Sequence, residues 1–125
     1  MPRVVHFEVP VDNPERASKF YSTVFGWSVE KWEGPQEYWL VKTGEDNEPG
    51  INGGFMRRCD ETEAAFSGAN TIQVASVDEY VAKITEHGGK ITLPKMEVPG
   101  VGYLAYFQDP EGNMFGIMEF SQSAS

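Results

Sequence analysis

Three polar side chains occur on predicted strands whose alternate positions are apolar. Residues 4–10 alternate so that His6 and Glu8 share one face, and Gln73 has a similar position in residues 70–75. An imidazole has an unperturbed pKa of about 6.5 and can exchange a proton at neutral pH. A neighbouring carboxylate such as Glu8 could orient the ring. His6 is therefore a candidate general acid or base, and the alternative is a histidine that is only hydrogen-bonded inside the fold.

The elements that would position these side chains follow the same order in both halves of the chain. After the first strand, a helix is predicted from the N-cap residue Asn13, with Pro14 at its first position, to Gly26. After the second, a helix is predicted from Ser76, which opens a capping-box pattern, to the glycine pair Gly88-Gly89 that stops it. Both helices carry apolar residues at helical spacing on one face.

Each predicted helix is followed by three strand-like segments separated by glycine, proline or acidic turns. They cover residues 27–33, 37–43 and 50–57 in the first half, and 90–97, 102–108 and 113–120 in the second. We therefore predict an α+β fold of two βαβββ modules, with mixed sheets curved around a shared cleft.

A single domain of residues 1–125 is predicted, with module 1 at 1–58, a linker at 59–68 and module 2 at 69–125. The helix-facing strand positions should be apolar. His6, Glu8 and Gln73 are therefore expected to face the cleft.

Aromatic and sulfur side chains on the later strands are candidates for the lining of the same pocket. Tyr38, Tyr103 and Met118 are the residues that we predict there, because aromatic-lined clefts suit flat or hydrophobic ligands. The alternative for each is ordinary core packing.

The composition indicates a globular protein that binds neither nucleic acid nor membranes. Hydrophobic residues make up 40% of the 125 residues, and no stretch reaches the roughly 18 apolar residues of a membrane span. The net charge of −9 repels phosphate backbones and anionic lipid surfaces. The single cysteine, Cys59, permits no internal disulfide, and the N-terminus has no apolar signal region. We therefore expect a cytoplasmic location.

Several motifs resemble one family. Residues 6–10 (HFEVP), the stretch from Phe20-Tyr21 to Trp27 and residues 109–113 (DPEGN) are similar to the vicinal oxygen chelate superfamily of glyoxalase I, bleomycin-resistance proteins and extradiol dioxygenases. Residues 99–103 (PGVGY) and Phe115-Gly116 resemble its glyoxalase-related branch. The resemblance covers nearly the whole chain and implies the fold more specifically than the reaction.

The resemblance also implies a site for one divalent metal, held by His, Gln and Glu side chains. His6 matches the first-strand ligand, Gln73 matches a second only approximately, and Gly116 stands where the family usually has a glutamate. A catalytic metal site needs about three protein ligands. His6 and Gln73 are thus the metal-ligand candidates. We expect that no metal cofactor binds, and a divalent metal is the alternative.

Two functions follow from the resemblance. The first is a lyase- or isomerase-type enzyme acting on a small oxygenated metabolite, with His6 as metal ligand or proton carrier. The second is a non-catalytic small-molecule binding protein, of the antibiotic-resistance type that sequesters its ligand. The match of His6 favours the first, and the missing acid at Gly116 favours the second. Related proteins often pair, so a homodimer is expected.

Overall fold

The computed structural model describes residues 2–57 and 68–121. The elements of the first half are β1 (Arg3–Val11), α1 (Pro14–Phe25), β2 (Ser28–Lys31), β3 (Trp39–Lys42) and β4 (Asn52–Arg57). Those of the second half are β5 (Ala69–Gln73), α2 (Val77–Glu86), β6 (Lys90–Val98), β7 (Gly102–Gln108) and β8 (Met114–Phe120). The α+β class is confirmed, while the modular boundaries and the shared cleft stay predictions.

The described residues form two compact units. One contains residues 6–57 and 68, and the other contains residues 2–5 and 69–121. The predicted linker, with Cys59, lies outside the described residues apart from Gly68.

Strand pairing follows the same scheme in both halves. The strand order is β2-β3-β4-β1 in the first and β5-β8-β7-β6 in the second. β1 runs parallel to β4, and β5 runs parallel to β8. The remaining pairs are antiparallel, so each half combines parallel and antiparallel strand pairs.

Each helix covers an apolar core of its own. Under α1, the buried residues are Val11, Val41 and Phe55. Under α2, they are Val74, Val77, Ala105 and Ile117. Phe7 and Val9 pack against the first of these cores, which confirms that the odd-numbered positions of β1 face α1. The even positions, with His6 and Glu8, therefore face away from that helix.

The helix termini largely match the sequence signals. The Asn13 side chain accepts a hydrogen bond from the Arg16 backbone N–H at 3.0 Å, and Gly26 ends α1 with a left-handed φ of 76°. The Ser76 hydroxyl accepts from the backbone N–H of Glu79 at 3.1 Å. The predicted stop of α2 at Gly88-Gly89 is confirmed: the helix ends at Glu86, His87 is its C-cap, and Gly88 has a left-handed φ of 95°. Neither helix is long and apolar enough to cross a membrane.

Candidate functional site

His6, Tyr38 and Glu8 form a hydrogen-bonded trio in the first unit. The His6 Nε2 atom lies 2.7 Å from the Tyr38 hydroxyl oxygen. That hydroxyl donates to Glu8 Oε2 at 3.0 Å. The structure thus brings together three of the six predicted pocket residues, two from β1 and one from the residue that precedes β3.

The trio depends on a glycine in the neighbouring strand. In the parallel register of β1 and β4, Glu8 pairs with Gly54. A Cβ atom at Gly54 would overlap the Tyr38 hydroxyl and ring. Only a residue without a side chain at this position therefore leaves room for the phenol.

Burial governs the charge state of the imidazole. His6 is half-buried, and Glu8 is buried with 9% of its surface exposed. Loss of hydration lowers the pKa of His6 below its ordinary value of 6.5, and the negative charge of Glu8 opposes this effect only in part. The lowered pKa of His6 favours the neutral ring at pH 7, which is the form that can accept a proton.

Trp32 supports Tyr38 from the segment between β2 and β3. The indole and phenol rings meet edge to face, with centroids 6.4 Å apart and planes at 81°. The backbone N–H of Trp32 donates to the Tyr38 carbonyl at 2.8 Å. Residues 31–37, which include Trp32, line a surface cavity of about 350 Å³. The sequence pattern does not identify Trp32 or Gly54 as site residues, because their roles depend on which strands pair.

Two of the other predicted pocket residues are neighbours in the second unit. Gln73 is exposed and pairs with the half-buried Met118. Their strand positions alternate with Ile72 and Ile117, which contact the core under α2, so Gln73 and Met118 point away from that helix.

Tyr103 has a different environment. It packs against the core under α2, on the same side of β7 as Ala105. The Lys95 ammonium lies 4.6 Å from the centroid of its ring. This contact pattern favours the core-packing alternative for Tyr103 over a position in a ligand pocket.

The glutamate of the superfamily's usual metal site has no counterpart at Gly116 of this chain. Residues 2–57 and 68–121 contain no group of three His, Cys, Asp or Glu side chains that could hold a metal ion. A Cβ atom at Gly116 would lie 3.2 Å from the Tyr106 ring and 3.3 Å from Thr71 Oγ1, so neighbours crowd the space of the missing acid. The nearby Glu119 instead accepts a hydrogen bond from the Val77 backbone N–H at 2.9 Å, at the start of α2.

Comparison with known proteins agrees with this fold. The family model of the Glyoxalase/Bleomycin resistance protein/Dioxygenase superfamily matches residues 3–117. The chain belongs to this superfamily, which confirms the resemblance seen in the motifs of β1 and of the turn before β8.

Two relatives carry related names. A "Glyoxylase-like domain-containing protein" of Didymella fabae is 31% identical over 117 residues, which is 88% of each chain. "Putative glyoxylase CFP32" of Mycobacterium bovis is 27% identical over 119 residues, or 90% of this chain. The match spans only 42% of the length of the mycobacterial relative.

A solved structure supports the same architecture. A variant of methylmalonyl-CoA epimerase from Streptomyces coelicolor superposes with a TM-score of 0.72 at 15% sequence identity. The alignment covers 98% of this chain and 97% of the epimerase. At this identity the likeness concerns the fold alone.

Proposed function

We propose that this chain is an enzyme of the lyase or isomerase type that moves a proton on a small oxygenated metabolite. The observation that carries the proposal is the half-buried His6 ring, whose Nε2 lies 2.7 Å from the Tyr38 hydroxyl, which in turn donates to Glu8. A histidine that is neutral at working pH can act as a general base, and a fixed ring orientation is what such a base requires.

The chemistry assigned to His6 is removal of a proton from a carbon beside a carbonyl group. The proton passes to the ring nitrogen, and the electron pair moves to the carbonyl oxygen to give an enolate. Protonation of the same carbon by water on the opposite face of the enolate completes an epimerisation. In an α-hydroxy carbonyl compound, return of the His6 proton to the neighbouring carbon, with the hydroxyl proton passing to the enolate oxygen, completes an isomerisation. Departure of a β-substituent with its electron pair, while the His6 proton passes to that group or to water, completes an elimination. The epimerase name of the structural neighbour is compatible with chemistry of this class.

Deuterium exchange tests this proposal without knowledge of the product. The protein is incubated in D₂O with a panel of small hydroxy- and oxo-carbonyl metabolites, and loss of the C–H signal is followed by proton NMR. We expect exchange on at least one compound, and a loss of about 10²-fold or more in His6→Gln, the usual contribution of a positioned acid or base.

The control variant is His87→Gln, at the exposed end of α2, which should exchange at the parent rate. Equal rates in the parent and His6→Gln would contradict a proton-transfer role for His6. No exchange on any compound would favour the binding function instead.

A non-catalytic binding or sequestering protein is the second candidate. It is favoured by Gly116, which has no side chain at the position where the family usually has an acid. In that case His6→Ala should lower ligand affinity modestly, because only one contact is lost. Ligands found in a thermal-shift screen are titrated by calorimetry into the parent and into His6→Ala, and the two affinities are compared.

We further propose a homodimer, since related proteins often pair. Size-exclusion chromatography with light scattering should give twice the chain mass of 13.9 kDa. A clean monomer mass at micromolar concentration would contradict the proposal.

A cytoplasmic location is proposed from the cysteine content. One cysteine in 125 residues permits no internal disulfide, which suits a reducing compartment. Fractionation of cells that express the chain with an epitope tag tests this proposal.

A further inference from the structure

We propose that Tyr38 is a positioning residue that fixes His6 as the Nε2–H tautomer and leaves Nδ1 as its basic nitrogen. The tautomer follows from hydrogen-bond geometry in the first unit. The use of Nδ1 as the proton acceptor rests on the proposed function of His6.

The tautomer follows from counting the hydrogens in the trio. An ionised carboxylate can only accept, so the single hydrogen of the Tyr38 hydroxyl is donated to Glu8 Oε2. The same phenol oxygen lies 2.7 Å from His6 Nε2 and has no second hydrogen to give. The hydrogen between these two atoms must therefore be on Nε2. In a neutral ring, the other nitrogen then carries the free lone pair.

The position of Tyr38 is set by neighbours on two sides. The missing side chain of Gly54 creates the space that the hydroxyl occupies. On the other side, the Trp32 indole meets the phenol ring edge to face, and the Trp32 backbone N–H binds the Tyr38 carbonyl. Neither Gly54 nor Trp32 is hydrogen-bonded to the imidazole, so both would act on His6 through Tyr38.

The protein contains an internal reference for the opposite tautomer. His87 Nδ1 lies 2.9 Å from the Lys83 carbonyl oxygen, which can only accept. When neutral, the His87 ring must therefore carry its hydrogen on Nδ1. The two histidines of this chain are thus expected to show opposite tautomers in one sample.

Nitrogen NMR on the full chain tests the assignment. Protein with ¹⁵N-labelled histidine is examined at pH 8, above the ordinary histidine pKa of about 6.5. Long-range proton–nitrogen correlation should give the Nε2–H pattern for His6 and the Nδ1–H pattern for His87. His6 should also show a ring N–H proton in slow exchange with water. An Nδ1–H pattern for His6, or a ring with two averaged nitrogens, would overturn the proposal.

Variants then test whether Tyr38 is the cause. Tyr38→Phe removes only the hydroxyl and should abolish the slowly exchanging His6 N–H signal. Gly54→Ala should do the same by displacing the phenol. Tyr80→Phe, in α2 of the other unit, is the matched control and should retain the signal. Persistence of the signal in Tyr38→Phe would overturn the role of Tyr38, even if Gly54→Ala failed to fold.

The NMR result is independent of any activity. If the tautomer is as stated but His6→Gln exchanges deuterium at the parent rate, the proposed enzyme function fails and the inference about the trio stands. If His6→Gln loses deuterium exchange while the parent shows the Nδ1–H tautomer, the inference about the trio fails and the proposed enzyme function stands.

Discussion

The imidazole of His6 occupies surroundings that oppose its protonation. Burial raises the free energy of the charged ring, and the nearby Glu8 carboxylate offsets only part of that cost. Histidine is the residue type in which such shifts change the charge state within the physiological pH range. The opposing effects of burial and of the Glu8 charge therefore determine the titration of His6 and also affect the stability of the fold.

The titration of His6 is the first quantity to measure at this scale. Proton NMR of the imidazole should give a midpoint below 6.5 in the parent protein. In Glu8→Gln the midpoint should fall further, because the favourable negative charge is lost while an amide oxygen still accepts from Tyr38. Glu86→Gln, at the end of α2, is the control and should leave the midpoint unchanged. A midpoint above 6.5 in the parent would contradict the effect of burial.

Stability should depend on the same proton. The folded pKa of His6 lies below its unfolded value, so the unfolded chain binds more protons as the pH falls. The contribution of His6 to stability is therefore complete above about pH 6.5 and is lost as the pH falls through the lower folded pKa. Urea unfolding at pH 7.5 and pH 5 should show a smaller stability difference between parent and His6→Gln at the acid pH. A difference that widens in acid would contradict this sign.

Part of this site could be predicted from residue order and part could not. Strand alternation placed His6 and Glu8 on one face, and the structure confirms the opposite, apolar face through Phe7 and Val9. The role of Gly54 depends on the parallel register between β1 and β4, which are far apart in the chain. No local pattern fixes that register, so the space above Gly54 could not be foreseen. The contact of Trp32 with Tyr38 depends instead on the antiparallel pairing of β2 with β3.

At the scale of elements, Glu119 links β8 to the start of α2. Its Oε1 accepts from the Val77 backbone N–H, one of the donors that a helix leaves unpaired in its first turn. Ser76 satisfies the Glu79 N–H of the same turn. Helix propensity and a capping box predicted the start of α2. The cap that Glu119 provides to Val77 comes from a residue 42 positions later in the chain, so it depends on tertiary packing.

Removal of this cap should weaken the second unit. Glu119→Ala leaves the Val77 N–H unpaired and should lower the free energy of unfolding by about 1 kcal/mol, the usual cost of a lost N-cap. Glu119→Gln keeps an acceptor oxygen and should lose less. Urea denaturation followed by circular dichroism measures both, with Glu86→Gln as a control near zero. Equal losses in the Gln and Ala variants would indicate that charge near the helix end, rather than the hydrogen bond, is the main contribution.

At the scale of the whole molecule, acidic residues outnumber basic ones by 19 to 10. Some of the exposed charges are paired, as in the contact of Arg57 with Glu37 at 2.9 Å and that of Lys95 with Asp78 at 3.0 Å. Exposed pairs of this kind contribute little to stability. The excess of negative charge matters more for solubility and for the ligands that the protein attracts, since a cation is favoured at long range and an anion is not.

The charge predicts where the protein is least soluble. Net charge keeps molecules apart, and it vanishes near the isoelectric point of about 4.6. Solubility measured from pH 3.5 to pH 7.5 should therefore be lowest near pH 4.6. The double variant Glu86→Lys and Glu111→Lys changes two exposed acids and raises the net charge at pH 7 from −9 by four to −5. The solubility minimum of this double variant should move to higher pH. A solubility minimum at the same pH as in the parent would show that exposed apolar surface, and not net charge, controls association.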